Sequence, residues 1–282
     1  MRFRSGKGDL YIPDDSKEAA ALGRTTHMAV GAHQDDLEIM AYHGISACFA
    51  STERWFTGVV ATDGAGSARS GIYASYSDDA MQRVRLREQR KAALLGEYAA
   101  LAQLGWSSAA VKDRAASDVA DDLEDLFVSA RPDVVYLHNP ADKHDTHVAL
   151  LIRAIDALRR LDEAHRPRHV YGCEVWRDLD WLADDEKVAL PVDERPSLAT
   201  ALVALFDSQI SGGKRYDLAT AGRRLAHATY HESHETDSHA ALTYAIDLNP
   251  LVEDRTLSIV DFTLGRVDRF RDDVARRLAA LS

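Results

Sequence analysis

The chain has 282 residues, of which 46% are hydrophobic and 28% charged, and its formal net charge is -11. This length and composition fit a soluble globular protein with a sizeable core. The acidic balance argues against nucleic acid or an anionic membrane surface as the main partner. No apolar run approaches the length of a membrane span, and the first 24 residues lack the apolar segment of a secretory signal, so we expect a cytoplasmic protein without a membrane partner.

Strand-like and helix-like segments alternate along the chain. In chain order, the patterning predicts a strand over 27–32, a helix over 36–50, a strand over 55–62, a helix over 79–104, a strand over 133–138, a helix over 146–161 and a strand over 169–176. An acidic, irregular stretch over 181–196 precedes helices over 197–210 and 216–230, a strand over 242–247 and an amphipathic helix over 261–281. The alternation predicts an α/β fold with a mainly parallel sheet and helices on both faces. We expect a single domain over 1–282, with a motif-bearing core over about 26–176 and a C-terminal elaboration over about 177–282.

Three polar clusters follow predicted strands, at 33–36, 62–64 and 138–147. Because ligands bind beyond the carboxyl ends of parallel strands, the three clusters should converge at one edge of the sheet. In the first cluster, His33 and Asp36 are close enough in sequence to reach one divalent ion. Taken alone, Asp35-Asp36 is somewhat more typical of a solvated helix start, where carboxylates meet free N–H groups, than of a metal site.

The third cluster carries the partner that a metal site would need, His144-Asp145-Thr146-His147. One of its two histidines could complete a His/Asp/His zinc site with the first cluster, and Asp142 or Asp145 could hold an imidazole in the required tautomer. A histidine-bearing helix N-cap is the alternative for this cluster alone. The pairing of both clusters on one predicted edge favours the metal site.

These motifs resemble those of a known family. The segment Ala32-His33-Gln34-Asp35-Asp36 resembles the Ala-His-Pro-Asp-Asp-Glu signature of the zinc-dependent PIG-L/LmbE-like N-deacetylases. Residues 142–147 resemble the family's second motif, Asp-Arg-His-Pro-Asp-His, and Thr62-Asp63-Gly64 resembles its Thr-Asp-Gly. Arg87-Glu88 is similar to its Arg/Glu-containing helix. The similarity extends over roughly 28–151, and it implies a Rossmann-like fold.

The resemblance also implies a set of roles. His33, Asp36 and His147 match the family's zinc ligands, which implies one zinc ion, or another divalent metal, per chain. Asp35 matches its general base and His144 its acid or electrophile. The implied reaction is removal of an N-acyl group from an N-acetylglucosamine-type amino sugar or a related small amide. Zinc would polarise the amide carbonyl and activate water, Asp35 would take the water's proton, and either Asp35 or His144 would protonate the leaving amine.

The chain departs from the family pattern beside these residues. Gln34 replaces the usual Pro, Leu37 replaces Glu with Glu38 one position later, and Asp145-Thr146 replaces Pro-Asp. The departures motivate an alternative, a catalytically silent protein that binds a sugar or another small ligand. A dehydrogenase on the same fold is a further alternative, but the chain lacks the glycine fingerprint of dinucleotide binding.

A second histidine-rich segment, 227–239, contains four histidines among acidic residues. It could form a second metal site or a rim for a hydroxyl-rich ligand, or be a polar helix end. We favour substrate contact through Tyr230, His231 and His234, and we expect Asp63 and Arg87 to contact substrate as well. The expected partner is a small N-acylated amino sugar, and the apolar side of the last helix is compatible with a homo-oligomer.

Overall fold

A computed structural model describes residues 1–66 and 69–282. These residues form eight strands: β1 (Asp9–Tyr11), β2 (His27–Gly31), β3 (Phe56–Thr62), β4 (Ala100–Trp106), β5 (Val134–His138), β6 (His169–Cys173), β7 (Val188–Pro191) and β8 (Leu242–Asp247). The strands make one sheet in the order β1-β4-β3-β2-β5-β6-β8-β7. The five central strands, from β4 to β6, are parallel, and the outer strands pair antiparallel. The expected mainly parallel α/β sheet is confirmed.

Twelve α-helices are found in the described part of the chain. They are α1 (Glu18–Gly23), α2 (Asp36–Met40), α3 (Tyr42–Cys48), α4 (Asp78–Leu95), α5 (Ser108–Lys112), α6 (Asp118–Ala130), α7 (Asp145–Arg160), α8 (Pro196–Ala204), α9 (Asp207–Ile210), α10 (Tyr216–Tyr230), α11 (Asn249–Glu253) and α12 (Ile259–Leu281). None of them is long and apolar enough to cross a membrane.

Helices cover both faces of the sheet because strand side chains alternate in direction. In β2, Met28 and Val30 join a core cluster with Leu123 of α6 and Leu150 of α7. Ala29, on the other face, joins a second cluster that contains residues of α2, α3 and α4. This double covering buries most residues of the central strands and leaves their carboxyl ends as the open edge.

The structure corrects three of the predicted elements. The predicted helix over 79–104 is wrong in its second part, because α4 ends at Leu95, Gly96 follows it, and β4 begins at Ala100. The Ala-rich sequence of β4 suits a helix, but its burial between β3 and β1 decides the strand. The predicted helix over 36–50 is interrupted at Ala41, where the backbone leaves the helical region. The stretch predicted to be irregular contains β7, which pairs with β8.

The C-terminal part of the chain contributes to the same sheet and to the same side of the molecule as the motifs. β8 lies between β6 and β7, and a guanidinium from α10, that of Arg224, donates to the carbonyls of Glu38 and Ile39 in α2. In α12 only Phe262 is buried. Both cysteines, Cys48 and Cys173, are buried free thiols.

Candidate active site

A cavity of about 370 Å³ opens at the carboxyl edge of the central strands. The loop after β2 contributes His33 and Asp35 to its wall, the loop after β3 contributes Gly64, and the loop after β5 contributes His144. The three polar clusters that the sequence places after strands therefore do line one site. The parallel order β3-β2-β5 brings them together although His33 and His144 lie more than a hundred residues apart in the chain.

Three side-chain atoms meet at the floor of this cavity. His33 Nδ1 lies 3.1 Å from His147 Nε2 and 3.3 Å from Asp36 Oδ2. His147 Nε2 lies 3.4 Å from the same carboxylate oxygen. We call these three side chains the His-Asp-His triad. Ligand atoms of a tetrahedral zinc ion, bound at ~2.0 Å, are roughly 3.3 Å apart. The spacing of the triad therefore fits a small divalent cation.

The protonation states at the triad suit a cation as well. His147 is fully buried, and its Nδ1 lies 3.1 Å from Asp142 Oδ2, which holds the ring proton on Nδ1 and leaves Nε2 free to bind. Burial lowers the pKa of His147 to about 4, so the ring is neutral at neutral pH. Although burial opposes ionisation, His147 and His138 hold the pKa of Asp36 well below its usual range. The triad therefore offers the neutral imidazole of His147 and the carboxylate of Asp36, beside the imidazole of His33.

Asp142 and Asp145 are the two acids expected to orient a histidine ring, and Asp142 is the one that contacts His147. Besides His147, it accepts hydrogen bonds from the backbone N–H groups of His144 and Trp176. Asp145 is exposed at the start of α7. Asp142 therefore ties the loop after β5 to the loop after β6, and it does so through the oxygen that orients His147.

His138, which the sequence analysis did not single out, also reaches the triad. Its Nε2 lies 3.4 Å from Asp36 Oδ2, and its ring stacks on His147 with centroids 3.8 Å apart. The same Nε2 accepts a hydrogen bond from the Ala32 N–H at 2.9 Å. Because that bond occupies the nitrogen lone pair, Asp36, His138 and His147 are a weaker metal-binding group than the triad. His138 is the last residue of β5, and this position at a strand end is the sequence signal that would have pointed to it.

Asp35 lies next to the triad in a strained backbone conformation. Its φ is 99°, in the left-handed region that non-glycine residues avoid, and its carboxylate lines the cavity. Among the described residues, its buried Oδ2 atom has no hydrogen-bond partner. Burial and the neighbouring Asp36 raise the pKa of Asp35 well above its usual range. The structure thus places a desolvated carboxylate beside the triad.

A buried polar network holds the Asp35 backbone. The Asp35 N–H donates to Gln89 Oε1, and Gln89 Nε2 donates to Glu38 Oε1 at 2.8 Å. Tyr98 donates to the same Glu38 oxygen at 2.7 Å. Burial raises the pKa of Glu38 to about 7. Leu37, at the position where the family pattern has Glu, packs in the core under β2 and β3. The acid one position later, Glu38, is the residue that joins this network.

His144 also lines the cavity, close to the two histidines of the triad. The half-buried ring lies 4.9 Å from that of His33 and 4.5 Å from that of His147, measured between centroids. Burial and the nearby His33 lower its pKa. In the described part of the chain, its buried Nδ1 atom has no hydrogen-bond partner.

Arg85, rather than Arg87, is the arginine of the cavity. Arg85 is 1% exposed and donates from Nη1 to the Gly64 carbonyl. Gly64 has a φ of 77°, and a Cβ there would lie 2.6 Å from Gln34 Oε1 and 2.7 Å from Arg85 Cδ, so only glycine fits. Gln34 in turn donates to the Thr62 carbonyl. The four-residue period of α4, which buries Arg85 and Gln89, is the sequence signal for this assignment.

Two of the expected substrate contacts lie beside a different cavity. Asp63 and Arg87 line a neighbouring cavity of about 330 Å³. The Asp63 carboxylate accepts from the Ala65 N–H and from Gln82 Nε2, so it shapes the turn after β3. The exposed Arg87 guanidinium donates to the Arg83 carbonyl in its own helix.

The histidine-rich segment 227–239 also lies outside the cavity. Tyr230 is 79% exposed, and His234 is exposed. His231 Nδ1 pairs with the hydroxyl of Tyr244, and His227 Nε2 lies 2.9 Å from the buried Glu174 carboxylate. The structure therefore does not bring Tyr230, His231 and His234 to the His-Asp-His triad.

The fold is shared with proteins of several activities. The chain is similar to N,N'-diacetylchitobiose deacetylase from Pyrococcus horikoshii, with a TM-score of 0.63 at 13% identity, over 82% of this chain and 86% of that one. It is similar to GalB, the 4-carboxy-2-hydroxymuconate hydratase of Pseudomonas putida KT2440, with a TM-score of 0.62 at 16% identity, over 79% and 96%. It is also similar to the zinc-inhibited form of teicoplanin deacetylase Orf2, with a TM-score of 0.57 at 14% identity, over 79% and 97%.

These structural matches establish the fold. No curated protein sequence gave a significant match. A family model, that of the GlcNAc-PI de-N-acetylases (PIG-L), matches residues 28–175, which is just over half of the chain and contains the whole triad. The chain therefore belongs to the PIG-L family, as its motifs predict.

Proposed function

We propose that this protein is a metal-dependent hydrolase that removes an N-acetyl group from an N-acetylglucosamine-type amino sugar. The observation that carries the proposal is the convergence of His33 Nδ1, Asp36 Oδ2 and His147 Nε2 beside the buried carboxylate of Asp35. Membership of the PIG-L family and the deacetylases among proteins of the same fold support it.

The triad would hold one zinc ion or another divalent cation. When bound, such a cation supplies Lewis-acid chemistry, which polarises an amide carbonyl and lowers the pKa of water. Asp142 keeps the His147 ring in the tautomer that leaves Nε2 free. The Orf2 structure with inhibiting zinc is a reason to test several metals rather than zinc alone.

We assign the proton transfers to Asp35 and His144, which lie next to the triad. Asp35 lines the cavity and takes a proton from the attacking water, since burial and Asp36 raise its pKa well above the usual range. His144, which lines the same cavity, donates a hydrogen bond to the oxyanion that forms at the amide carbonyl. The proton that Asp35 has taken then reaches the leaving amine, either directly or through His144.

The test is an assay of amine release from N-acetylglucosamine and N,N'-diacetylchitobiose by protein loaded with zinc, manganese or cobalt. We expect turnover with at least one metal. We expect Asp35→Asn to lower kcat by about 10²- to 10⁴-fold while the metal content stays the same. Unchanged hydrolysis by metal-loaded Asp35→Asn would contradict the proposed roles.

A catalytically silent binding protein was motivated by the departures next to the motifs. Two of those departures have structural replacements, since Asp142 backs His147 and Glu38 stabilises the Asp35 loop through Gln89. Metal-loaded protein that binds these sugars in calorimetry, and releases no amine with any of the three metals, would favour the silent protein.

A further inference from the structure

The outer wall of the active-site cavity is cationic, in a chain whose formal net charge is -11. Lys112, the last residue of α5, and Lys214, in the turn between α9 and α10, both line it. No described carboxylate lies within 4.0 Å of either ammonium group, whereas Lys187, at another surface, is paired with Asp184. Two unpaired ammonium groups at one cavity attract anions.

A buried guanidinium in the same cavity gives independent support. Arg85 is 1% exposed, yet among the described residues its Nε and Nη2 atoms have no hydrogen-bond partner. Its one hydrogen bond uses Nη1 and the Gly64 carbonyl. A buried donor edge without an acceptor is costly, unless a ligand supplies the acceptor. A guanidinium edge pairs best with a carboxylate or phosphate.

Aromatic side chains join this cationic wall to the reacting groups. Lys214 Nζ lies 5.1 Å from the centroid of the Trp176 ring, and that ring lies 6.1 Å from the ring of His144. Tyr216 meets Trp176 edge-on at 6.1 Å. A molecule that reaches from the triad to Lys214 would pass along these rings. The volume of about 370 Å³ suits a ligand the size of one or two sugars.

We propose that the substrate carries a carboxylate or phosphate on the same small molecule as its N-acetyl group, and that Lys112, Lys214 and the free edge of Arg85 bind this anion. The proposal rests on the proposed function for the N-acetyl group. The anion site itself rests on the unpaired cations, so each part has its own test.

Binding is the test that does not depend on turnover. Metal-loaded protein is titrated by calorimetry with glucosamine 6-phosphate and with glucosamine. We expect the phosphorylated amine to bind at least about tenfold more tightly, with an advantage that shrinks as salt is raised. Lys112→Gln and Lys214→Gln should each reduce this advantage several-fold. Lys91→Gln, an exposed lysine of α4 away from the cavity, should leave it unchanged.

Kinetics separate the two anions and the two proposals. N-acetylglucosamine 6-phosphate carries a phosphate, and N-acetylmuramic acid carries a carboxylate. For at least one of these two substrates, kcat/KM should exceed the value for N-acetylglucosamine by about tenfold. Equal affinity for glucosamine and its 6-phosphate, or an advantage that survives in the Lys112→Gln/Lys214→Gln double variant, would overturn the anion site. Preferential binding of the phosphate without amine release from any substrate would uphold the anion site and overturn the proposed deacetylase.

Discussion

Two regions of this chain are rich in histidine, and they differ in what their imidazoles face. His33, His144 and His147 come from loops separated by about a hundred residues, yet two of them share Asp36 Oδ2 within 3.4 Å. In the segment 227–239 the four histidines are neighbours in sequence, yet three of them have separate partners: His227 pairs with Glu174, His231 with Tyr244 and His239 with Asp193. The order of the parallel strands, rather than the local density of histidine, brings imidazoles together.

The two regions also differ in how their side chains are held. At the triad, Asp142 fixes the tautomer of His147 and the core packs around the ring, which is fully buried. In the histidine-rich segment, His234 is exposed, and no hydrogen bond to its imidazole is found among the described residues. Because a metal site needs oriented ligands as well as suitable residue types, we expect the first region to bind the cation and the second to leave it unbound.

The largest expected effect separates the two regions directly. His147→Ala should lower the metal content from about one ion per chain to near zero, because it removes the one triad ligand that Asp142 holds in the binding tautomer. His234→Ala is the matched control and should retain the full content. Elemental analysis of the dialysed proteins measures both. A loss of metal in His234→Ala would place an ion in the histidine-rich segment.

The support behind the triad should have the next largest effect. Asp142→Asn removes the carboxylate that orients His147, so we expect the metal affinity to fall by about 10- to 100-fold. Asp145→Asn changes an exposed acid three residues later and should not alter the affinity. Competition with a chromophoric chelator measures both constants. Equal losses in the two variants would indicate a general charge effect instead of orientation.

A smaller effect is expected where the network meets the Asp35 backbone. Gln89→Met keeps the side-chain length but leaves the Asp35 N–H and one Glu38 oxygen without this partner, so we expect a loss of about 1–3 kcal/mol in the free energy of unfolding. Because Asp35 loses its support, kcat should fall while metal content is retained. Urea unfolding and amine release provide the two readings. A stable variant with unaltered kcat would show that Gln89 does not position Asp35.

The smallest effect is expected at the surface of the second region. Tyr230 is 79% exposed and lies outside the cavity, so Tyr230→Ala should change stability by no more than about 0.5 kcal/mol and kcat/KM by less than twofold. Thermal unfolding and steady-state kinetics with N-acetylglucosamine provide the check. A several-fold rise in KM would bring this segment back as a substrate contact.

The sequence was most informative where function depends on strand ends. Regular alternation of strands and helices predicts the parallel sheet, and the sheet places His33 and His147 at one edge. The convergence of these two histidines can therefore be predicted from the sequence alone. Asp142 could be proposed but not distinguished from Asp145, because a loop sequence does not determine which carboxylate turns inward. Asp35 has a left-handed backbone, and its N–H donates to Gln89, which lies 54 residues away in the chain. A contact between residues so far apart in sequence is not visible in the local pattern.

Elsewhere, tertiary contacts decided against local pattern. The Ala-rich β4 has the composition of a helix, and its pairing with β3 and β1 makes it a strand. Arg85 and Arg87 lie two residues apart on one helix, so a motif that contains arginine does not tell which of them faces the cavity. The segment 227–239 has suitable residues for a site, but no parallel strand end brings a second element to it.

Anomalous diffraction at the zinc edge, from crystals of the metal-loaded protein, tests the central comparison most directly. We predict one strong peak within about 2.0–2.2 Å of His33 Nδ1, Asp36 Oδ2 and His147 Nε2. A peak within the segment 227–239, or one bound by His138 in place of His33, would contradict the account.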